Sequence, residues 1–153
     1  MEIIFQKVRP KHLSEDNISK SDIWGNEFVF NSTSHAELTG DSGKGKSTLL
    51  SFAYGLRNDF EGTILINNSN SKKIKIKDWI NLRQNKISIV FQGLELFDEL
   101  SGLENIMLKN SITKHKTLPE IKKIAEIVDM EEVWEQKVST LSYGQKQRIA
   151  IIR

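Results

Sequence analysis

Gly40-Asp41-Ser42-Gly43-Lys44-Gly45-Lys46-Ser47 is the stretch on which the fold turns. Its spacing is Gly-x-x-x-x-Gly-Lys-Ser, the pattern of a loop that wraps a phosphate chain. Glycines let the backbone close around an anion, so that several N–H groups converge on its oxygens. A helix starting at the end of the loop adds unpaired N–H groups and the positive end of its dipole. Lys46 brings a point charge to the β- and γ-phosphates, and Ser47 a hydroxyl ligand for Mg²⁺. A glycine-rich surface turn has a similar composition, so the flanks decide. Ala36 to Thr39 reads as a strand feeding the loop, and Leu49, Leu50, Phe52, Ala53 and Leu56 follow at helical spacing. Strand, loop and helix in that order make Gly40, Asp41, Ser42, Gly43, Lys44, Gly45, Lys46, Ser47 and Thr48 the candidate nucleotide-binding residues. Glu37 is at odds with a strand covered on both faces, and is expected at that strand's exposed start.

Outward from the loop, Glu2 to Val8 and Glu27 to Phe30 read as short strands, with Lys11 to Asp22 as polar loop between them. Gly62 to Ile66 reads as a hairpin strand and Asn67 to Ser71 as a turn. Asp78 to Asn85 has the marks of a short helix, and Ile87-Ser88-Ile89-Val90-Phe91 those of a strand ending at Gln92. From Gly102 the pattern is helical. Ile121, Ile124, Ala125 and Val128 line one face of a helix opened by Pro119, and Ser142 to Arg153 forms the last helix. Early strands and late helices fit an α/β domain carrying a helical insertion.

Composition sets the outer bounds. The chain has 153 residues, 22 basic and 20 acidic side chains, a net charge of +2 and no cysteine. Such a length fits one domain with a sizeable core. Without cysteine there is neither a disulfide framework nor a thiolate metal site. The near-even charge gives no support to nucleic acid as a partner. No apolar run approaches the roughly 20 residues of a membrane span, and the N-terminus has no basic-then-apolar export signal. A cytoplasmic protein is expected.

A second motif, Leu141-Ser142-Tyr143-Gly144-Gln145, follows about a hundred residues after the loop, with Gln92 between the two. Ser142 and Gln145 also have the Ser-x-x-Gln spacing of an ordinary helix capping box, which by itself requires no ligand. In this order, however, the motifs resemble those of the ATP-binding cassette (ABC) family, the ATPase domains of ABC transporters. The family signature is Leu-Ser-Gly-Gly-Gln, so Tyr143 replaces a glycine. The resemblance implies a P-loop NTPase core sheet over about 1–92 and a helical subdomain with the signature helix over about 93–153. It implies ATP and Mg²⁺ as ligands, with Ser47 and Gln92 holding the metal and Lys46 and Gln92 acting in catalysis. It also implies that Ser142, Gly144 and Gln145 face nucleotide held by a second ATP-binding subunit, in a homodimer or heterodimer. The implied further partner is a transmembrane permease, on the inner face of the cell membrane.

Two family features depart from the pattern. The aromatic ring that stacks on adenine has only His12 or Trp24 as candidates; His12 is preferred from its loop position, and Trp24 is assigned to the core. In the family the signature helix leads to a strand ending Asp-Glu and later to a switch histidine. The chain ends at Arg153 ahead of both, and His12, His35 and His115 lie too early to serve. The expectation is therefore an ATP-binding subunit of an ABC transporter, hydrolytic when complete, incomplete at its C-terminus and poorly stable alone. The alternatives are an ATP-binding module or relic without turnover, or a non-transport ABC protein.

Overall fold

A computed structural model describes all 153 residues, which divide into two compact units, Met1–Ile89 and Val90–Arg153.

The first unit is built on a four-stranded antiparallel sheet in the order β2-β1-β3-β4. Its strands are β1 (Glu2–Pro10), β2 (Glu27–Asn31), β3 (Phe60–Ile66) and β4 (Ser69–Asn70). Phe5 and Val8 of β1 are both fully buried although three residues apart, which strict alternation forbids. A bulge reconciles them: the β1–β3 register shifts between Gln6 and Arg9, and Lys7 takes a positive φ of 50°. Opposite the bulge stands Gly62, where a Cβ would lie 2.4 Å from the Lys7 carbonyl oxygen.

Helix α1 (Glu15–Ser19) follows β1, capped by the Ser14 hydroxyl, which accepts from the Asn17 N–H. It corrects the expectation of loop over Lys11 to Asp22; five residues are too few to show a period. Helix α2 (Lys46–Ala53) sends Leu49 and Phe52 into the core with Phe5, Val8, Ile18, Trp24, Phe60 and Ile64. Each such side chain contributes about 1.5–3 kcal/mol on burial. Gly55, at φ 71°, ends α2 against the Trp79 ring, which would lie 2.4 Å from an added Cβ. Trp79 belongs to α3 (Ile76–Asn85), whose Arg83 donates to the carbonyls of Tyr54 and Gly55.

Two expected strands do not form. Neither Ala36 to Thr39 nor Ile87 to Phe91 has regular structure. An apolar run favours extended backbone, but a strand exists only where a neighbour completes its ladder, and no other strand of the chain pairs with either. Gln92 therefore ends no strand, and lies in an exposed turn segment. Glu37 is exposed as expected, but in irregular chain and not at a strand's start.

The second unit packs α4 (Gly102–Thr113), α5 (Leu118–Ile127) and α6 (Tyr143–Ile152) around Ile106, Ile121, Met130, Trp134, Val138 and Ile149. Gly102 permits the closest approach; a Cβ there would lie 2.7 Å from Ile149 Cδ1. Asn105 is fully buried and fully used. Its amide donates to the carbonyls of Phe97 and Ser101 at 3.1 and 2.9 Å and accepts from the Phe97 N–H at 2.8 Å. No helix in either unit is long and apolar enough to cross a membrane.

Candidate functional site

Within the first unit, Gly40, Gly43 and Gly45 have φ of 141°, 79° and 93°. L side chains rarely adopt such angles, so the loop's path depends on these residues lacking a Cβ. Gly45 is constrained twice, because an added Cβ would lie 3.0 Å from both Leu13 and the Trp24 indole. Trp24 is 4% exposed, packs edge-on to Phe52, and donates from Nε1 to the Lys44 carbonyl at 3.2 Å. It is a core residue that also props the loop from below.

Gly45 is the N-cap of α2, in a left-handed conformation and with no side chain to cap the helix. The first N–H of the helix to find a partner is that of Leu49, on the Gly45 carbonyl at 2.9 Å. The N–H groups of Lys46, Ser47 and Thr48 have no acceptor in the chain. Three uncapped donors at the positive end of a helix suit an anion chemically.

Lys46 folds back over the loop, its Nζ donating to the Gly40 carbonyl and, at 2.8 Å, to that of Asp41. Lys44 turns away to Asn17 Oδ1 at 2.7 Å, tying the loop to α1. Ser42 is exposed. The Ser47 side chain is exposed and makes no hydrogen bond, while its carbonyl accepts from Ser51. An open cleft of about 540 Å³ borders the loop, with Asn17, Lys20, Thr39, Asp41, Lys44 and Lys46 on its walls.

Thr48 is buried, and its Oγ1 lies 3.1 Å from His12 Nε2. The other ring nitrogen of His12 lies 3.1 Å from Arg57 Nη2, and Arg57 pairs with Asp59. The Arg57 guanidinium holds the Asp59 carboxyl below the usual carboxylate range. The sequence singles out His12 as an aromatic ring but not as a hydrogen-bond partner of Thr48. The Arg57-x-Asp59 spacing was the available signal, and it acquires meaning only when the fold brings residue 57 to residue 12.

The remaining predicted residues belong to the second unit. Ser142 caps α6: its Oγ accepts the Gln145 N–H at 3.3 Å, and its own N–H donates to Gln145 Oε1 at 2.8 Å. Gly144 has nothing within 4 Å of the position a Cβ would take. Tyr143 is 59% exposed and its hydroxyl donates to the Gln92 carbonyl at 3.5 Å, so Gln92 and the start of α6 are neighbours.

The family model described as "ABC transporter" matches residues 25–153. The lipoprotein-releasing system ATP-binding protein LolD of Ehrlichia chaffeensis is 39% identical over 120 residues, covering 76% of this chain and 51% of LolD. The sulfate/thiosulfate import ATP-binding protein CysA of Synechocystis is 35% identical over 119 residues, covering 76% of this chain and 32% of CysA. A solved dimeric, post-hydrolysis structure of the ATP-binding cassette MJ0796, bound to ADP and Pi, superposes with a TM-score of 0.75. The identity is 25%, over 99% of this chain and 68% of that one. The chain thus spans about half the length of LolD and a third that of CysA.

Proposed function

The chain belongs to the ABC transporter family, and from that premise we propose that it is the nucleotide-binding part of an ATP-binding subunit that powers transport across a membrane. One observation carries the reading: the unpartnered N–H groups of Lys46, Ser47 and Thr48 stand at the end of a glycine loop closed over by Lys46. For a triphosphate to bind, the Lys46 ammonium exchanges two neutral carbonyls for anionic oxygens, the stronger acceptors. The exposed, unbonded Ser47 hydroxyl fits a hard cation's demand for oxygen ligands. When bound, Mg²⁺ supplies neutralisation of charge on the phosphates.

The proposed partners are a second ATP-binding subunit and a membrane permease, on the cytoplasmic side. The open N–H groups of Tyr143 and Gly144, with nothing crowding Gly144, support a second subunit's nucleotide approaching α6. The dimeric state of MJ0796 points the same way. The competing reading is a binding module without turnover.

Calorimetric titration of the chain with ATP and Mg²⁺, run beside an assay of phosphate release, tests both. The expected result is saturable heat, weakened more than about tenfold by Lys46→Ala, since hydrogen bonds to charged groups contribute about 1.5–3 kcal/mol each. Saturation without phosphate release favours the module. Absence of heat, or equal heat from Lys46→Ala, contradicts the proposal.

A further inference from the structure

One imidazole joins three separate stretches of the first unit. His12 comes from the loop after β1, Thr48 from the first turn of α2, and Arg57 and Asp59 from the approach to β3. The chemistry of these groups fixes the direction of each hydrogen bond. A guanidinium has only N–H donors, so His12 Nδ1, 3.1 Å from Arg57 Nη2, must accept. An imidazole that accepts on Nδ1 carries its proton on Nε2. That proton points to Thr48 Oγ1 at 3.1 Å, so the hydroxyl accepts it. His12 is the one hydrogen-bond partner of this hydroxyl, whose own hydrogen is left to donate elsewhere.

Arg57 is itself fixed. Its Nε donates to Asp59 Oδ1 at 2.9 Å, its Nη2 donates to Asp59 Oδ2, and its guanidinium lies 5.8 Å from the Phe52 ring centroid. Asp59 Oδ2 stands 3.7 Å from His12 Nδ1, too far for a hydrogen bond, so it acts on the ring through Arg57. With the opposite tautomer, Nε2 would accept from Thr48 and turn the hydroxyl hydrogen away from the mouth of α2.

We propose that Asp59, Arg57 and His12 form a directional relay that keeps the Thr48 hydroxyl a donor towards phosphate at the start of α2. This rests on the nucleotide reading of the loop. All three are positioning residues, acting on the ligand through Thr48. The relay gives His12 a task through its two ring nitrogens, besides the stacking on adenine that its loop position suggests.

Two measurements test it. Long-range ¹H–¹⁵N spectra of the free chain at neutral pH should show His12 as the Nε2–H tautomer, shifting towards Nδ1–H in Arg57→Met. ATP titrations should show His12→Leu binding about tenfold more weakly, the hydroxyl then having no N–H to fix its direction. His12→Gln, which keeps an N–H donor, should stay within about twofold of the parent chain. Thr48→Val should weaken binding as much as His12→Leu, and the double variant no more than either alone. An Nδ1–H tautomer in the parent chain, unchanged affinity in His12→Leu, or additive losses in the double variant would overturn the relay. Failure of the parent chain to bind ATP would instead overturn the nucleotide reading, with the tautomer still testing the hydrogen-bond directions.

Discussion

Helices α2 and α6 both begin at motifs that the sequence marks for nucleotide, yet their first turns are built in opposite ways. Helix α2 starts from a left-handed glycine with no side-chain cap, and three of its N–H groups are unpartnered. Helix α6 starts from Ser142 in a complete capping box, with Gln145 returning the bond. The first start leaves those three donors open, as the proposed phosphate ligand requires. The second closes the Gln145 N–H within the chain, while Tyr143 and Gly144 retain open donors. Motifs of comparable recognisability therefore mark different first turns, one with three open donors and no side-chain cap, the other with two open donors and a capping box.

The largest expected effect comes from closing the open start. Gly45→Val places a β-branched side chain at φ 93°, with its Cβ 3.0 Å from Trp24 and Leu13. It should destabilise the first unit by about 2–4 kcal/mol, from backbone strain and displaced packing, and abolish ATP binding. Denaturant melts and calorimetry check this. A normal melt with retained binding would erase the distinction between the two starts.

The converse experiment removes the cap of α6. Ser142→Ala should cost about 1 kcal/mol in urea melts of the second unit, with ATP affinity of the monomeric chain unchanged. Gly144→Ala, in a helical position with open space around it, should raise that unit's stability by up to about 1 kcal/mol. A gain there would mean that folding does not require a glycine, leaving close approach by a partner as its reason.

The smallest effect comes from acid. Helices α4 and α5 are capped by carboxylates. The backbone N–H of Ser101, then its hydroxyl, holds Glu104 below the ordinary glutamate range, and Thr117 does the same for Glu120. A depressed folded value stabilises above the unfolded value of about 4.3 and loses that contribution as pH falls through the folded one. Melts of the second unit should therefore weaken from about pH 5 downwards, and less steeply in Glu104→Gln. The amide-capped start of α6 should show no such dependence, which Gln145 amide exchange would report.

What the sequence made legible follows from whether a feature is local. The Ser142–Gln145 box, Pro119 in the first turn of α5 and the helix after Lys46 are set by residues within one turn, and each forms. Strands β1, β2 and β3 were legible through their apolar runs, although the bulge at Lys7 was not, because its cause is Gly62 on the neighbouring strand. Ile87 to Phe91 reads as strand because composition records preference for extended backbone and not the presence of a neighbour. The glycine loop leading into α2 was visible in full. Its supports were not: Trp24 beneath Gly45, Asn17 on Lys44 and His12 on Thr48 are all contacts between distant segments.

The most direct test of the open start is to follow backbone amide resonances of the chain as ATP is added. Large shifts should occur at Gly45, Lys46, Ser47 and Thr48 with ATP, should persist with inorganic pyrophosphate, and should be absent with adenosine. Shifts elsewhere with these four amides unmoved, or the same response to adenosine, would contradict the claim that this loop and helix grip phosphate.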